Sequence, residues 1–247
     1  MQPILIKQQY KVIQVLCAEE DFAAFLAVDI ESREKKEYLL NVYEDARIKQ
    51  YISAFSELKH CPQFVEMFAG EGMLAVVFTY RAGTCIDDVF YKGAEVDWRT
   101  RMHYAQLLFH LGLSVYNFPC EIGCAALLSC NLVLRMNEKT LETNYLVRPM
   151  DGMNERELTF LVCDQIKKVL LKRYSSPNAE LSLLQTLEAG RFKNAKELYA
   201  YWVRVKDTIY AEYEKIEAKP AVGRALYLLF LNLGRWFKRV ILKKGVA

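Results

Sequence analysis

The feature that most constrains this chain is a change of hydrophobic period at Tyr80. Before it, apolar residues come in short runs: residues 10–16 alternate in part, 22–30 are apolar and aromatic, and 37–43 form a further run. Short runs bounded by polar stretches are strand signals, and residues 31–36, with Lys35 and Lys36, separate the last two as a hairpin turn would. Residues 45–59 then place Ile48, Ile52, Phe55 and Leu58 at helical spacing. Residues 64–68 and 73–80 follow as two strands around 69–72, where two glycines mark a turn. The expected order is three strands, one helix, two strands.

After Tyr80 the pattern lengthens. Arg81-Ala82-Gly83-Thr84 is a polar link, and 86–91 reads as a brief helix. Asp97 is placed to cap a long helix through Tyr116, with Met102, Ala105, Leu108, Phe109 and Leu113 on one side. Residues 120–128 read as irregular, and 131–136 with 143–147 as a short strand pair across a turn at 137–140. Helices are expected at 155–172, 177–189 and 195–218, the last capped by Asn194. The spacing therefore predicts an α+β chain: a strand-rich N-lobe over 1–80, a helical C-lobe over 81–218 and a basic tail over 219–247.

Composition excludes some function classes. With 53% hydrophobic and 26% charged residues the chain is an ordinary globular one and not a disordered one. The seven cysteines are odd in number and irregular in spacing, and the opening MQPILIKQQYKV has no basic stretch followed by a long apolar one. Free thiols in a reducing, cytoplasmic setting are the expectation. Cys120, Cys124 and Cys130 have no CxxC pair or neighbouring histidine to complete a metal set, so no metal is expected. The net charge of +3 is uneven: from Ala221 onward there are six basic residues and no acidic one, leaving 27 basic against 30 acidic elsewhere. No basic patch with interleaved aromatics lies outside the tail, which argues against nucleic acid.

His60-Cys61-Pro62-Gln63-Phe64-Val65, then residues 73–80 with Arg81-Ala82-Gly83, then Asn131-Leu132-Val133-Leu134 occur in this order along the chain. Together with the element order they resemble the protein-kinase-like fold, at the turn before the fourth strand, the fifth strand with its hinge, and the end of the catalytic loop. The resemblance covers residues 10–215 and implies a two-lobed domain. It also implies that the chemistry is degenerate, as in a bacterial-type pseudokinase. The stretch that would cover nucleotide phosphates, residues 16–22, has no glycine and carries Glu19, Glu20 and Asp21. Asn41 stands where the phosphate-binding lysine would be, and an amide cannot pair with phosphate as an ammonium does. Ala126 stands at the general base, and an alanine accepts no proton. The metal-binding aspartate falls on Asn144 by spacing or on Asp151-Gly152 by type, and an amide is a poor magnesium ligand. The helix over 45–59 lacks a central glutamate, Glu57 being too near its end. Of the machinery only Asn131 survives. No catalytic residue and no cofactor are expected, and nucleotide binding is disfavoured.

These residues also have plain readings: Asn131 as a loop brace, Glu19, Glu20 and Asp21 as a solvated turn, Asp151 as a turn residue beside glycine, and Tyr199, Trp202, Tyr210 and Tyr213 as packing. An unrelated α+β domain is the alternative to the fold itself.

The tail is amphipathic. Its uninterrupted apolar run, 225–231, is too short to cross a bilayer, which takes about 20 residues. Wound as a helix it gathers Arg224, Asn232, Arg235, Arg239 and Lys243 toward one side. Leu226, Leu229, Phe230, Leu233, Trp236, Phe237, Val240 and Ile241 cover most of the rest. Basic residues opposite Trp, Phe and Leu suit a helix lying in an anionic membrane surface, with Arg224, Arg235, Trp236, Phe237, Lys238, Arg239, Lys243 and Lys244 as the binding set. A helix docked on the body with its charges in water, and one whose apolar face enters a protein groove, are the alternatives. The leading expectation is an inactive kinase-like scaffold that binds a protein partner at the cytoplasmic membrane face. A divergent kinase using Asn131 and Asp151, and a structural component of a membrane-associated assembly, are the others.

Overall fold

The computed structural model describes residues 4–32, 36–58, 60–70 and 72–244, with side chains as far as Phe237. Lys35 of the expected hairpin turn and Lys59 at the expected helix end lie outside the described residues. So do the side chains of Lys238, Arg239, Val240, Ile241, Lys243 and Lys244.

The N-terminal part is a six-stranded antiparallel sheet and one helix. In chain order the elements are β1 (Leu5–Ile6), β2 (Tyr10–Ala18), β3 (Phe22–Asp29), β4 (Glu37–Glu44), α1 (Ala46–Ser56), β5 (Phe64–Gly70) and β6 (Met73–Thr79). The strands lie in the order β1-β2-β3-β4-β6-β5. The expected order stands, with the two-residue β1 added in front. β4 lies inside the sheet, and five of its residues in a row, Leu39 to Tyr43, are buried. That is why 37–43 reads as an apolar run and not as an alternating one. The sheet curls until its two edges meet: the Lys7 ammonium pairs with Glu66 on β5 at 2.6 Å, and the Tyr10 hydroxyl donates to the same carboxylate at 2.7 Å. Tyr10, Ala27, Leu40 and Val77 fill the inside of that curl. The other face carries Leu39, Tyr43, Val76 and Phe78 and receives Tyr51 and Phe55 from α1. Tyr51 is buried where Ile52 was expected, and Ile52 is exposed. A tyrosine buries more apolar area than an isoleucine, and here its ring stacks on Tyr43 at 4.2 Å.

The C-terminal part is helical. It runs β7 (Thr84–Cys85), α2 (Ile86–Val89), α3 (Trp98–Val115), α4 (Cys120–Ala126), β8 (Leu132–Arg135), β9 (Thr140–Thr143), α5 (Glu155–Leu170), α6 (Asn178–Glu188), α7 (Ala195–Glu217) and α8 (Ala221–Lys244). Asp97 and Asn194 cap α3 and α7 as expected, accepting from Thr100 and Glu197 backbone N–H groups. Two expectations need correction. Residues 120–126 form a helix: Pro119 sets its entry, and Gly123, Ala125 and Ala126 let it sink into the core with no polar face to give a period. The second strand of the pair is β9 and not 143–147, because a tight turn closes at 136–139 and sets Leu132 opposite Thr143. Residues 144–150 are thereby released from strand pairing. α3 and α5 pack closely enough that a Cβ on Gly112 would stand 2.8 Å from Val162.

One continuous core runs through both parts, from Phe22, Tyr43 and Phe78 through Tyr145 to Phe109, Val162 and Trp202.

Candidate functional site

The free segment 144–150 crosses between the sheet and the helices, and two asparagine side chains hold it. Asn41 on β4 donates from Nδ2 to the Tyr145 carbonyl at 2.7 Å and accepts from the Val147 N–H at 2.9 Å. Asn131, before β8, grips from the helical side. Its Nδ2 donates to the Ala125 carbonyl at 2.7 Å and to the Leu146 carbonyl at 3.1 Å, and its Oδ1 accepts from the Leu146 N–H at 3.2 Å. A carboxamide carries one carbonyl and two N–H bonds, so each asparagine substitutes for a peptide unit of a neighbouring strand. Tyr43 adds a 2.6 Å hydrogen bond to the Val147 carbonyl, and the Tyr145 ring stacks on Phe78 at 5.0 Å.

A third amide closes the end of this seam. Asn144 accepts from the Arg81 N–H at 2.8 Å and donates to the Arg81 carbonyl at 3.0 Å. Arg81 is the first residue of the link between the two parts, so the backbone donor and acceptor there are both occupied. Thr143 donates to the Ala126 carbonyl at 2.6 Å, and Gln63 to the Thr143 carbonyl at 3.1 Å.

Charges seal the rim. The Arg47 guanidinium on α1 bridges Asp21, in the β2–β3 turn, at 2.9 Å and Asp151 at 2.8 Å. Arg148 reaches Glu19 of the same turn at 3.5 Å. Hydrogen bonds to Asp151 and Asp21 raise the Arg47 pKa further, and the Asp151 carboxyl is held below the usual carboxylate range by the Arg47 hydrogen bonds. Inside the seam burial pushes the Tyr43 and Tyr145 phenols far up, and that of Tyr51 to about 12. None of these phenols exchanges a proton near neutral pH.

Of the sequence-singled residues, Asn41 and Asn131 meet on opposite sides of one strand-like segment. Ala126 is buried, joined to them through Thr143. Asp151 stands apart at the exposed rim, paired to Arg47. Tyr43, Arg47 and Arg148 were not singled out, and no local signal marks them. Asn144, noted only for its spacing, bonds the link backbone. Beside the seam, Gln50, Glu57, Pro119, Cys120, Glu121 and Met153 line an open groove of about 300 Å³. Burial raises the Cys120 thiol, so it is not a reactive thiolate. Among the described residues no group of three His, Cys, Asp or Glu side chains is placed to hold a metal ion.

The second feature is α8. Asn232 donates to the Tyr174 carbonyl at 3.0 Å, and Arg235 donates to Asn178 Oδ1 at 2.9 Å and to the Ser176 carbonyl at 2.7 Å. Leu228 lies on the same side and is buried. Val222, Leu226, Leu229, Phe230, Leu233, Trp236 and Phe237 are exposed, Val222 at 75% and Phe230 at 68%. Arg224 is exposed. The helix is thus docked, but by part of its polar edge, and it turns its apolar face away from the body. No helix among the described residues is long and apolar enough to cross a membrane.

No protein-family model matches this chain, and no curated protein matches it.

Proposed function

We propose that this chain is a two-lobed, protein-kinase-like binding module that transfers no phosphoryl group and acts by engaging a protein partner at the cytoplasmic face of a membrane. The observation that carries the reading is the seam. In a kinase-like domain the space between the lobes holds the nucleotide, and in this chain residues 144–150 fill the space between sheet and helices. The Asn144 carboxamide, one acceptor and one donor side by side, occupies both backbone groups of Arg81, the first residue of the link. Three further features support it. Asn41 is committed to backbone in place of phosphate. Alanine stands where a base is needed. Glu19, Glu20 and Asp21 occupy the turn that would approach phosphates, and two of them are already paired with cations. A module without its chemistry acts through its surfaces, and α8 is the surface turned toward the membrane.

The test is a thermal-shift titration with ATP, with and without magnesium. Ligand at one hundred times its dissociation constant stabilises by about 2.7 kcal/mol. No shift at millimolar ATP is expected, and a magnesium-dependent rise in melting temperature would overturn the reading in favour of an enzyme.

A further inference from the structure

The polar edge of α8 that faces the body is the edge a simple amphipathic helix would keep for lipid headgroups. From its geometry we infer that α8 binds an anionic lipid surface through its apolar face, and that Arg235 is a latch to the body and not a lipid ligand. This deepens, and rests on, the reading of the chain as a module held at a membrane.

At 100° per residue, Val222, Leu226, Leu229, Phe230, Leu233, Trp236 and Phe237 fall within one third of the helix circumference. All seven are exposed. Arg235 lies opposite with the buried Leu228 beside it, and Asn232 borders the stripe next to Trp236 on the way round to them. Asn232 and Arg235, anchored on Tyr174, Ser176 and the first residue of α6, Asn178, fix the rotation of the helix about its axis, so the apolar stripe is presented in one direction before any surface is met. An apolar stripe of this width, carrying Trp and Phe, matches the few ångströms at the headgroup–acyl boundary. Charge selects lipid over a second copy of the chain. The segment from Ala221 has six cations and no anion, so two such faces would repel, whereas an anionic leaflet attracts them. Freed of headgroup contact, Arg235 serves instead to orient the helix, and Arg224 falls on the same side as Arg235, away from the apolar stripe.

The experiment uses the full chain with vesicles of phosphatidylcholine containing phosphatidylglycerol, against phosphatidylcholine alone. Trp98 and Trp202 are buried in the body, so acyl-brominated lipid should quench Trp236 selectively. Binding and quenching are expected on the anionic vesicles, and Phe230→Ser with Phe237→Ser should weaken sedimentation by more than about tenfold. Arg235→Ala should change affinity less than about twofold while loosening the fixed depth of quenching. The substituted aromatics are exposed, so melting should be unchanged; if it is not, quenching in the unsubstituted chain still decides. Binding that survives the serine substitutions but falls with Arg235→Ala overturns the orientation and leaves the membrane reading standing. No binding to either vesicle overturns both. Concentration-dependent dimerisation abolished by Phe230→Ser, without vesicle binding, gives the face to a second copy and also overturns the inference. None of these readouts depends on nucleotide, so they fail independently of the test above.

Discussion

The Asn144 carboxamide forms two hydrogen bonds with one residue, taking both the N–H and the carbonyl of Arg81. That pairing joins the end of the 144–150 segment to the link between sheet and helices. Replacing Asn144 with leucine keeps the volume but orphans a backbone donor and acceptor. A loss of about 1–3 kcal/mol per buried group is expected in urea unfolding. Asn144→Asp should be worse than its size suggests, since a carboxylate would face the Arg81 carbonyl. Stability no lower than that of the unsubstituted chain would remove the seam's claim to hold the two parts.

Asn41 and Tyr43 grip the same segment from the same strand, bonding residues 145 and 147. Asn41→Ala should therefore destabilise by a few kcal/mol and Tyr43→Phe by about 1 kcal/mol. Both bond Val147, so the double variant should lose less than the sum. A double-mutant cycle measures this, and strict additivity would mean the two contacts act independently.

Arg47 holds Asp21 and Asp151 at once, and its effect should appear as local order. In Arg47→Ala, amide exchange at residues 19–22 is expected to speed up while the global melting temperature barely moves, because the rim is exposed. The sign with pH follows from Asp151. Its folded pKa is depressed, so the clamp's stabilisation is present above the ordinary carboxylate range, near 3.9, and is lost as pH falls through the lower folded value. Acidification should reproduce the Arg47→Ala exchange pattern, and high salt should do so in part.

Glu180 behaves in the opposite sense. It is buried against Arg101 at 3.6 Å and receives the Tyr213 hydroxyl at 2.7 Å, and desolvation raises its carboxyl pKa. A raised folded pKa contributes stability below the unfolded value, and this is lost as pH rises through the folded one. Relative to Glu180→Gln, the unsubstituted chain should lose ground on going from acidic toward neutral pH. Glu180→Ala, which leaves Arg101 without its carboxylate, should cost about 3–5 kcal/mol. Parallel melting curves for the native and Gln chains across pH would refute the assignment.

Asp45, just before α1, has φ 49° and ψ −123° without a capping hydrogen bond from its side chain. Glycine adopts that conformation freely. Asp45→Gly is expected to raise stability by roughly 1 kcal/mol.

The change at Tyr80, the strands before it and the helix caps at Asp97 and Asn194 were legible because each depends on spacing within a few residues. α4 was not, since a helix sunk in the core on small residues has no polar face. The β9 register was missed because the turn at 136–139 is set by backbone geometry at Lys139, φ 54°, and not by a glycine. The seam was illegible for a different reason. Asn41 and Tyr145 are 104 residues apart, and an asparagine reads the same whether it braces a distant peptide or binds a ligand. Both readings of Asn131 were open, and its amide is used on backbone. On α8 the sequence carried the stripe of apolar residues but not which edge meets the body, because that depends on the carbonyls of Tyr174 and Ser176.

The seam also has a kinetic consequence. Its Asn41 and Tyr43 bonds join positions 104 or more residues apart and its Asn144 bonds positions 63 apart, whereas the neighbouring sheet is built largely of hairpins. Local pairings close cheaply and distant ones carry the loop entropy, so the sheet and helices should be well advanced before residues 144–150 settle between them. Asn41, Tyr43 and Asn144 then belong to the late side of the folding barrier. Weakening them should hasten unfolding and leave the folding rate nearly untouched, so the strength of the seam sets how long the native chain lasts.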